Sequence, residues 1–302
     1  MDPAAPTVFD RALMRRRLSR AVKEGFATFL LERAAEDFEE RLSAVTRPFP
    51  VALDIGTPTS LAAEAVARTR DGVSVVRLAP AVLRPQTGAG IPTAIGDEEA
   101  LPIAESSVDL AVSLLALQSV NDLPGTLVQI RRALKPDGLL LACLFGGNTL
   151  TELRQAFAGA ESELEGGASP RVAPFAEVRA VGGLMQRAGF ALPVVDLETV
   201  TVRYGSVFGL MADLRAMGLT NALAQRRRTP LRRATLLRMA EIYAQRFADP
   251  DGRLRATFEI VWLSGWAPDA SQQKPLKPGS AKMRLADALG TKEIPAGEKA
   301  ER

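Results

Sequence analysis

A short apolar run, Pro50-Val51-Ala52-Leu53, leads into Asp54-Ile55-Gly56, and a helix-forming stretch, Leu61-Ala62-Ala63-Glu64-Ala65-Val66-Ala67, follows a few residues later. Strand, glycine turn and helix in that order constrain the chain more than any other feature. Such a unit buries its apolar surface as part of an open α/β sheet, and its turn lies at the crevice where such sheets receive a nucleotide-like cofactor. Turns of this kind normally carry two or three glycines, so that backbone can approach the ligand. Here Gly56 is followed by Thr57-Pro58-Thr59, and Pro58 lacks the N–H that would face a ligand. The frame of a cofactor crevice is therefore present, with part of its lining missing.

The rest of the chain repeats the alternation. Residues 10 to 46 read as helical from the spacing of Phe26, Phe29, Leu30, Ala34 and Phe38. Val51–Ile55, Val73–Leu78, Pro92–Ile95, Val108–Leu114 and Leu139–Phe145 read as strands, and a helix over Leu123–Leu134 stops at the turn Lys135-Pro136-Asp137-Gly138. Leu139–Phe145 is wholly apolar, as a strand covered on both faces should be. Helices are expected around 149–160 and 174–188, the second closed by Gly189. Pro193–Tyr204 and Arg255–Trp266 alternate like strands and would complete a doubly wound, mainly parallel sheet, with Trp262 and Trp266 in the core. The stretch from about 205 to 250 reads as a basic helical insertion before the last strand; residues 203–250 hold nine arginines and three acids. The expected organisation is a helical segment over 1–47, an α/β domain over 48–267, and a polar, poorly ordered tail over 268–302 that contains Pro275, Pro278 and Pro295.

Composition narrows the chemistry. Over 302 residues, 47% apolar and 24% charged content is that of a soluble globular protein, and no apolar run approaches a membrane span. The N-terminus has no secretory hydrophobic core, and Asp2 and Asp10 argue against a mitochondrial presequence despite Arg11, Arg15, Arg16, Arg17 and Arg20. The expected location is a bacterial cytoplasm, or the mitochondrial matrix if the chain is eukaryotic. The absence of histidine excludes Ser-His-Asp and Cys-His nucleophilic sites in their usual forms, and metal centres built on imidazole. One cysteine, Cys143, allows neither an internal disulfide nor a cysteine zinc site, so no metal is expected.

The candidate site gathers at the strand ends. Asp54 would order the turn, and Gly56 would let backbone approach the cofactor. The end of the second strand should carry an acid for the ribose hydroxyls, but the chain has Arg77-Leu78-Ala79-Pro80. In Gly96-Asp97-Glu98-Glu99-Ala100-Leu101-Pro102, Asp97 is placed to accept from an adenine amino group, with Glu98 beside it; a solvated acidic loop is the alternative. Ser113, with Leu114 to Ser119, would line the reaction pocket, which offers no base, and no catalytic residue is assigned. Arg226-Arg227-Arg228 with Arg232, Arg233 and Arg238 suit a solvated helix face or a docking face for an acidic protein. Nucleic acid is disfavoured because no aromatics are interleaved for stacking.

These residues together resemble the methyltransferase-type assembly factors of respiratory complex I and their alphaproteobacterial relatives. The resemblance runs from Val8 to about Ala281. It is carried by Val8-Phe9-Asp10-Arg11, Ala52 to Gly56, Asp97 to Pro102, Val120-Asn121-Asp122-Leu123-Pro124 and Leu134 to Gly138. It continues through Phe145-Gly146-Gly147-Asn148-Thr149, Glu165-Gly166-Gly167-Ala168-Ser169-Pro170 and Leu210 to Gly218. The resemblance implies a class I methyltransferase-like (Rossmann-like) fold and S-adenosylmethionine as cofactor, held by Asp54, Gly56, Asp97, Glu98 and Ser113. It also implies a protein partner such as a complex I subunit, modified at an arginine by hydroxylation, or served by an assembly role. The wider superfamily implies methyl transfer. The chain departs from the family at Thr57-Pro58-Thr59, at Leu78-Ala79 where an acid belongs, and at Gln118-Ser119 where a histidine and an aromatic belong. Three functions stay open: an S-adenosylmethionine-dependent enzyme acting on a protein, a non-catalytic assembly protein, and a small-molecule or carrier-protein carboxyl methyltransferase.

Overall fold

The computed structural model of the chain describes residues 7–80, 90–273, 280 and 283–292. Two compact units are formed, Met1–Pro268 and Asp269–Arg302. In the second, the described residues hold one helical turn, Leu285–Ala288; the rest of the expected tail lies largely outside the described residues.

Two helices, α1 (Arg11–Glu24) and α2 (Phe29–Ser43), take the place of the single helical stretch read over 10–46, because Gly25 ends α1 at φ +109°. The strands are β1 (Val51–Ile55), β2 (Ser74–Ala79), β3 (Thr93–Ile95), β4 (Val108–Leu114), β5 (Leu134–Phe145), β6 (Ala191–Tyr204) and β7 (Leu254–Trp266). Between them run α3 (Leu61–Thr69), α4 (Leu123–Ala133), α5 (Thr151–Leu164), α6 (Val178–Arg187), α7 (Val207–Ala216) and α8 (Arg233–Phe247). The sheet order is β3-β2-β1-β4-β5-β7-β6, and β7 alone among these strands runs against its neighbours. Strand order reverses between β1 and β4, so the crevice of such a sheet lies at their C-terminal ends.

Alternation along the strands sorts the core into two layers. Ala52, Leu110, Val112, Leu141, Cys143, Ile260 and Trp262 face one side, where α2, α3, α5 and α8 cover them. Leu53, Ile55, Ala111, Leu140, Ala142, Leu144, Val261 and Leu263 face the other, under α4 and α6. Cys143 is fully enclosed, and burial pushes its thiol up to about 12, so it is inert at neutral pH. Trp262 is buried with the Arg41 guanidinium 4.6 Å above its ring, whereas Trp266 is only partly covered and stacks on Phe49.

Two local expectations need correction. The Lys135-Pro136-Asp137-Gly138 turn does not precede β5 but lies inside it. Its pairing with β4 passes from Val108↔Leu134 to Leu110↔Leu139, so the Pro-Asp-Gly chemistry makes a bulge with Asp137 at φ +61°. The basic insertion is not helical throughout: α7 and α8 are separated by residues 217–232, where Gly218 (φ +73°) and Pro230 interrupt the helical path. Among the described residues no helix is long and apolar enough to cross a membrane.

Phe38 on α2 is fully buried against the first layer. Phe38→Ala should lower unfolding stability by about 3–5 kcal/mol, measured as a shifted urea midpoint with an unchanged slope.

Candidate functional site

Parallel pairing of β1 with β2 sets Asp54 opposite Arg77, and both side chains are buried. Arg77 Nε donates to Asp54 Oδ2 at 3.0 Å. Its Nη2 donates to the carbonyls of Thr57 at 3.1 Å and Thr59 at 2.5 Å. One guanidinium thus clamps the whole turn. Burial pushes the Asp54 carboxyl up to about 6, against the opposing pull of Arg77 and Thr57. Arg77 is the functional residue the sequence reading missed. The available signal was a lone charge in the apolar strand Val75-Val76-Arg77-Leu78.

Gly56 keeps the positive φ of +73° that the bend requires, and its N–H donates to Leu78 O at 2.8 Å. The space in front of it is taken. A Cβ built on Gly56 would stand 2.7 Å from Glu98 Oε1 and 3.2 Å from the Ala116 Cβ. Glu98 is held there by Arg11 of α1. The same guanidinium reaches Asp97 Oδ1 at 2.7 Å and Ser119 O at 3.2 Å, and Arg15 also pairs with Asp97. Burial would raise the Asp97 carboxyl, but the Glu99 N–H, Arg15 and Arg11 hold it below the ordinary carboxylate range. Gly56 and Glu98 therefore meet at one crevice, while Asp54, bound to Arg77, and Asp97, bound to Arg11 and Arg15, do not line it.

Ser113 does not join them. It is fully buried, donates to Ile55 O at 2.7 Å, and lines neither cavity described below. Its role is to tie β4 to β1. Among the described residues no group of histidine, cysteine and acid side chains is arranged to hold a metal ion.

Two cavities flank this point and share Met14, Gln118, Ser119, Gly218 and Leu219. The first is the expected cofactor crevice, about 60 Å³, between Gly56, Pro58, Pro80, Glu98 and Arg11. Pockets for ligands of drug size measure about 300–1,000 Å³, so in this arrangement the crevice is narrow, with the paired Arg11 and Glu98 in its wall. No ribose acid is at hand, since no aspartate or glutamate stands between Asp71 and Asp97. The second cavity, about 250 Å³, is lined by Phe145, Phe157, Phe175, Met211 and Phe258. Its one charged lining residue, Arg171, is already bound by buried Glu161, and no carboxylate lines it. Gln118 donates to Leu115 O at 2.7 Å, while its buried Oε1 has no hydrogen-bond partner.

The segments that carry the family likeness converge here. The N–H groups of Val8 and Phe9 donate to Asn121 Oδ1 at 2.9 and 2.8 Å, which docks the N-terminal segment beside the crevice. Glu259 accepts from Asn148 N at 2.8 Å and Asn148 Nδ2 at 2.7 Å, seating the Gly-Gly-Asn turn. Ser169 N donates to Glu161 at 2.7 Å, which fixes the segment after Gly167.

A methyltransferase domain model matches residues 53–142. Among solved structures, a Bacillus halodurans protein assigned to the methyltransferases has a TM-score of 0.51 at 15% identity, covering 76% of this chain and 97% of that one. The YcgJ protein of Bacillus subtilis also gives 0.51, at 11% identity, over 78% of this chain and all of the other. The fold is thus that of the class I methyltransferases. Arginine-hydroxylase NDUFAF5 of Danio rerio is 38% identical over 286 residues, 93% of this chain and 89% of its own length, and the human protein 37% over 292 residues, 95% and 84%. The chain belongs to this NDUFAF5 family. A malonyl-[acyl-carrier protein] O-methyltransferase of Xylella fastidiosa is 35% identical over 270 residues, 86% of this chain and 89% of its own length.

Removing one partner of a buried ion pair strands the other. Arg77→Met should cost about 3–5 kcal/mol in urea unfolding, and the double change with Asp54→Asn should recover much of that loss. The Asp54 carboxyl stands at about 6 when folded against an ordinary 3.8. The native state therefore binds this proton more tightly, and its contribution to stability falls as pH rises from about 4 to about 6. Asp54→Asn should remove one proton's worth of that slope; an unchanged slope would show that Asp54 does not titrate there.

Proposed function

We propose that this chain is a binding member of its family, acting on a protein partner in respiratory complex assembly without S-adenosylmethionine chemistry of its own. The observation that carries this reading is the Arg77 guanidinium clamped onto Asp54 and the carbonyls of Thr57 and Thr59. It ties down two carbonyls of the turn from inside the protein, which leaves the turn less free to adapt to a cofactor. The 250 Å³ cavity supports the same reading. A buried guanidinium needs a carboxylate partner, and this cavity lines its wall with an arginine instead. It suits an apolar element of a partner better than an arginine side chain.

A cofactor-using enzyme is the second reading. What favours it is the retained bend at Gly56 and the acidic loop that still meets it through Glu98. The likeness to malonyl-[acyl-carrier protein] O-methyltransferases adds carboxyl methylation to that second reading.

Isothermal titration calorimetry with S-adenosylmethionine and with S-adenosylhomocysteine separates the two. The expected result is no heat of binding at about 1 mM ligand; a Kd below about 100 μM, near −5.5 kcal/mol, would restore the enzyme reading. Replacing Arg77 by Gly, Pro58 by Gly and Ala79 by Asp together should confer measurable affinity on a chain that lacks it, provided circular dichroism shows the variant folded.

A further inference from the structure

The arginines that stand out in the sequence between Arg226 and Arg238 are largely neutralised within the fold. Arg226 pairs with Asp10 at 3.1 Å, Arg227 and Arg232 reach Glu165 at 3.1 and 3.7 Å, and Arg238 pairs with Glu163 at 2.6 Å and Glu241 at 3.1 Å. Uncompensated positive charge collects elsewhere. Arg16 and Arg20, one turn apart on α1, and Arg215 at the end of α7 are all exposed. None of the three makes an ion pair or side-chain hydrogen bond among the described residues. Together with Arg17, Leu13 and Thr220 they line an open concavity of about 520 Å³ in which no acid takes part.

The concavity is a built feature. Gly218 lets α1 lie directly against the end of α7, since a Cβ there would stand 3.1 Å from Leu18 Cα and 3.2 Å from Leu18 N. Arg17 is tied down by donating to Thr220 O at 2.7 Å and to Asn221 O. Burial first, and then Arg226 and Arg20, draw the Arg17 guanidinium below the ordinary arginine value, with Asp10 opposing them. Four guanidinium groups thus border one concavity whose lining holds no acid, although Asp10 acts on Arg16 and Arg17 from outside it, and like charges so close repel one another. An anion relieves that repulsion.

We propose that this concavity, formed by Arg16, Arg17, Arg20 and Arg215, is a docking site for an acidic segment of a protein partner. Guanidinium forks match carboxylates two bonds at a time. No aromatic side chain lines the concavity, so the base stacking that single-stranded nucleic acid uses has no platform here. Thr220 belongs to the walls of both this concavity and the apolar cavity, so a bound segment would lie beside that cavity. The assignment holds whichever way the cofactor question falls, because none of these four arginines lines the crevice.

Fluorescence anisotropy of the full chain with a labelled glutamate-rich peptide tests it. Saturable binding is expected at about 50 mM salt and should weaken steeply by about 300 mM, as exposed charge pairs are screened. The triple variant R16E/R20E/R215E should lose at least about tenfold in affinity, the scale of a few exposed charge contacts. A control that reverses three exposed charges on α4 and α6, R132E/R179E/R187E, should stay within about twofold of the parent, since those charges lie outside the concavity. Absence of saturable peptide binding at about 1 mM, or equal losses in both variants, would overturn the site. So would tighter binding of duplex DNA or of phosphatidylglycerol vesicles than of the peptide.

Discussion

A carboxylate and a guanidinium buried side by side, Asp54 on β1 and Arg77 on β2, are the interaction on which the rest of the site depends. An isolated charge at either position would be costly in an apolar layer. Each makes the other tolerable, and the pairing has a consequence beyond charge. Arg77 still has donors to spend after meeting Asp54, and it spends them on two carbonyls of the turn. The turn is therefore held from inside the protein. Thr57 joins the lock from the other side, its hydroxyl accepting from Leu114 N at 3.1 Å.

The roof of the crevice is set by the N-terminal helices. Arg11 and Arg15 bring α1 down on Asp97 and Glu98, and Asn121 anchors the segment that precedes the helix. Glu98 is pressed against Gly56 by the same contact. Floor and roof thus close one space through charge pairs, while the neighbouring cavity, walled mainly by phenylalanine, leucine and methionine side chains, is the larger of the two. The wall from Gly218 to Asn221 separates that apolar space from the basic concavity. A fold known for placing a methyl donor at the first space here presents surface mainly at the other two.

Much of the fold was legible before any coordinates. A wholly apolar run such as Leu139–Phe145 can be buried on both faces only in a central sheet, and it is the regular part of β5; the mostly apolar Val108–Leu114 is β4 beside it. Gly189 closes α6 with φ +84° as its place after Arg187-Ala188 suggested. Of the expected site residues, Gly56 and Glu98 line the crevice at the strand ends, whereas Asp54 is bound to Arg77, Asp97 to Arg11 and Arg15, and Ser113 to Ile55 O, and none of these three lines it. The misjudged elements are those where local chemistry has two outcomes. Pro136-Asp137-Gly138 makes a bend equally well before a strand or as a bulge within one, and pairing across to β4 selects the bulge.

Periodicity, turn residues and the strand–glycine–helix order by themselves determined a doubly wound sheet with a crevice at the end of β1, because those signals are local and repeat along the chain. Only the tertiary structure decided what fills that crevice and which charges remain unpaired. Arg77 lies 23 residues from Asp54, Arg11 lies 87 from Glu98, and Arg226 lies 216 from Asp10. Charge acts through distance in space, and the sequence lists these groups without saying which of them the packing will bring within reach.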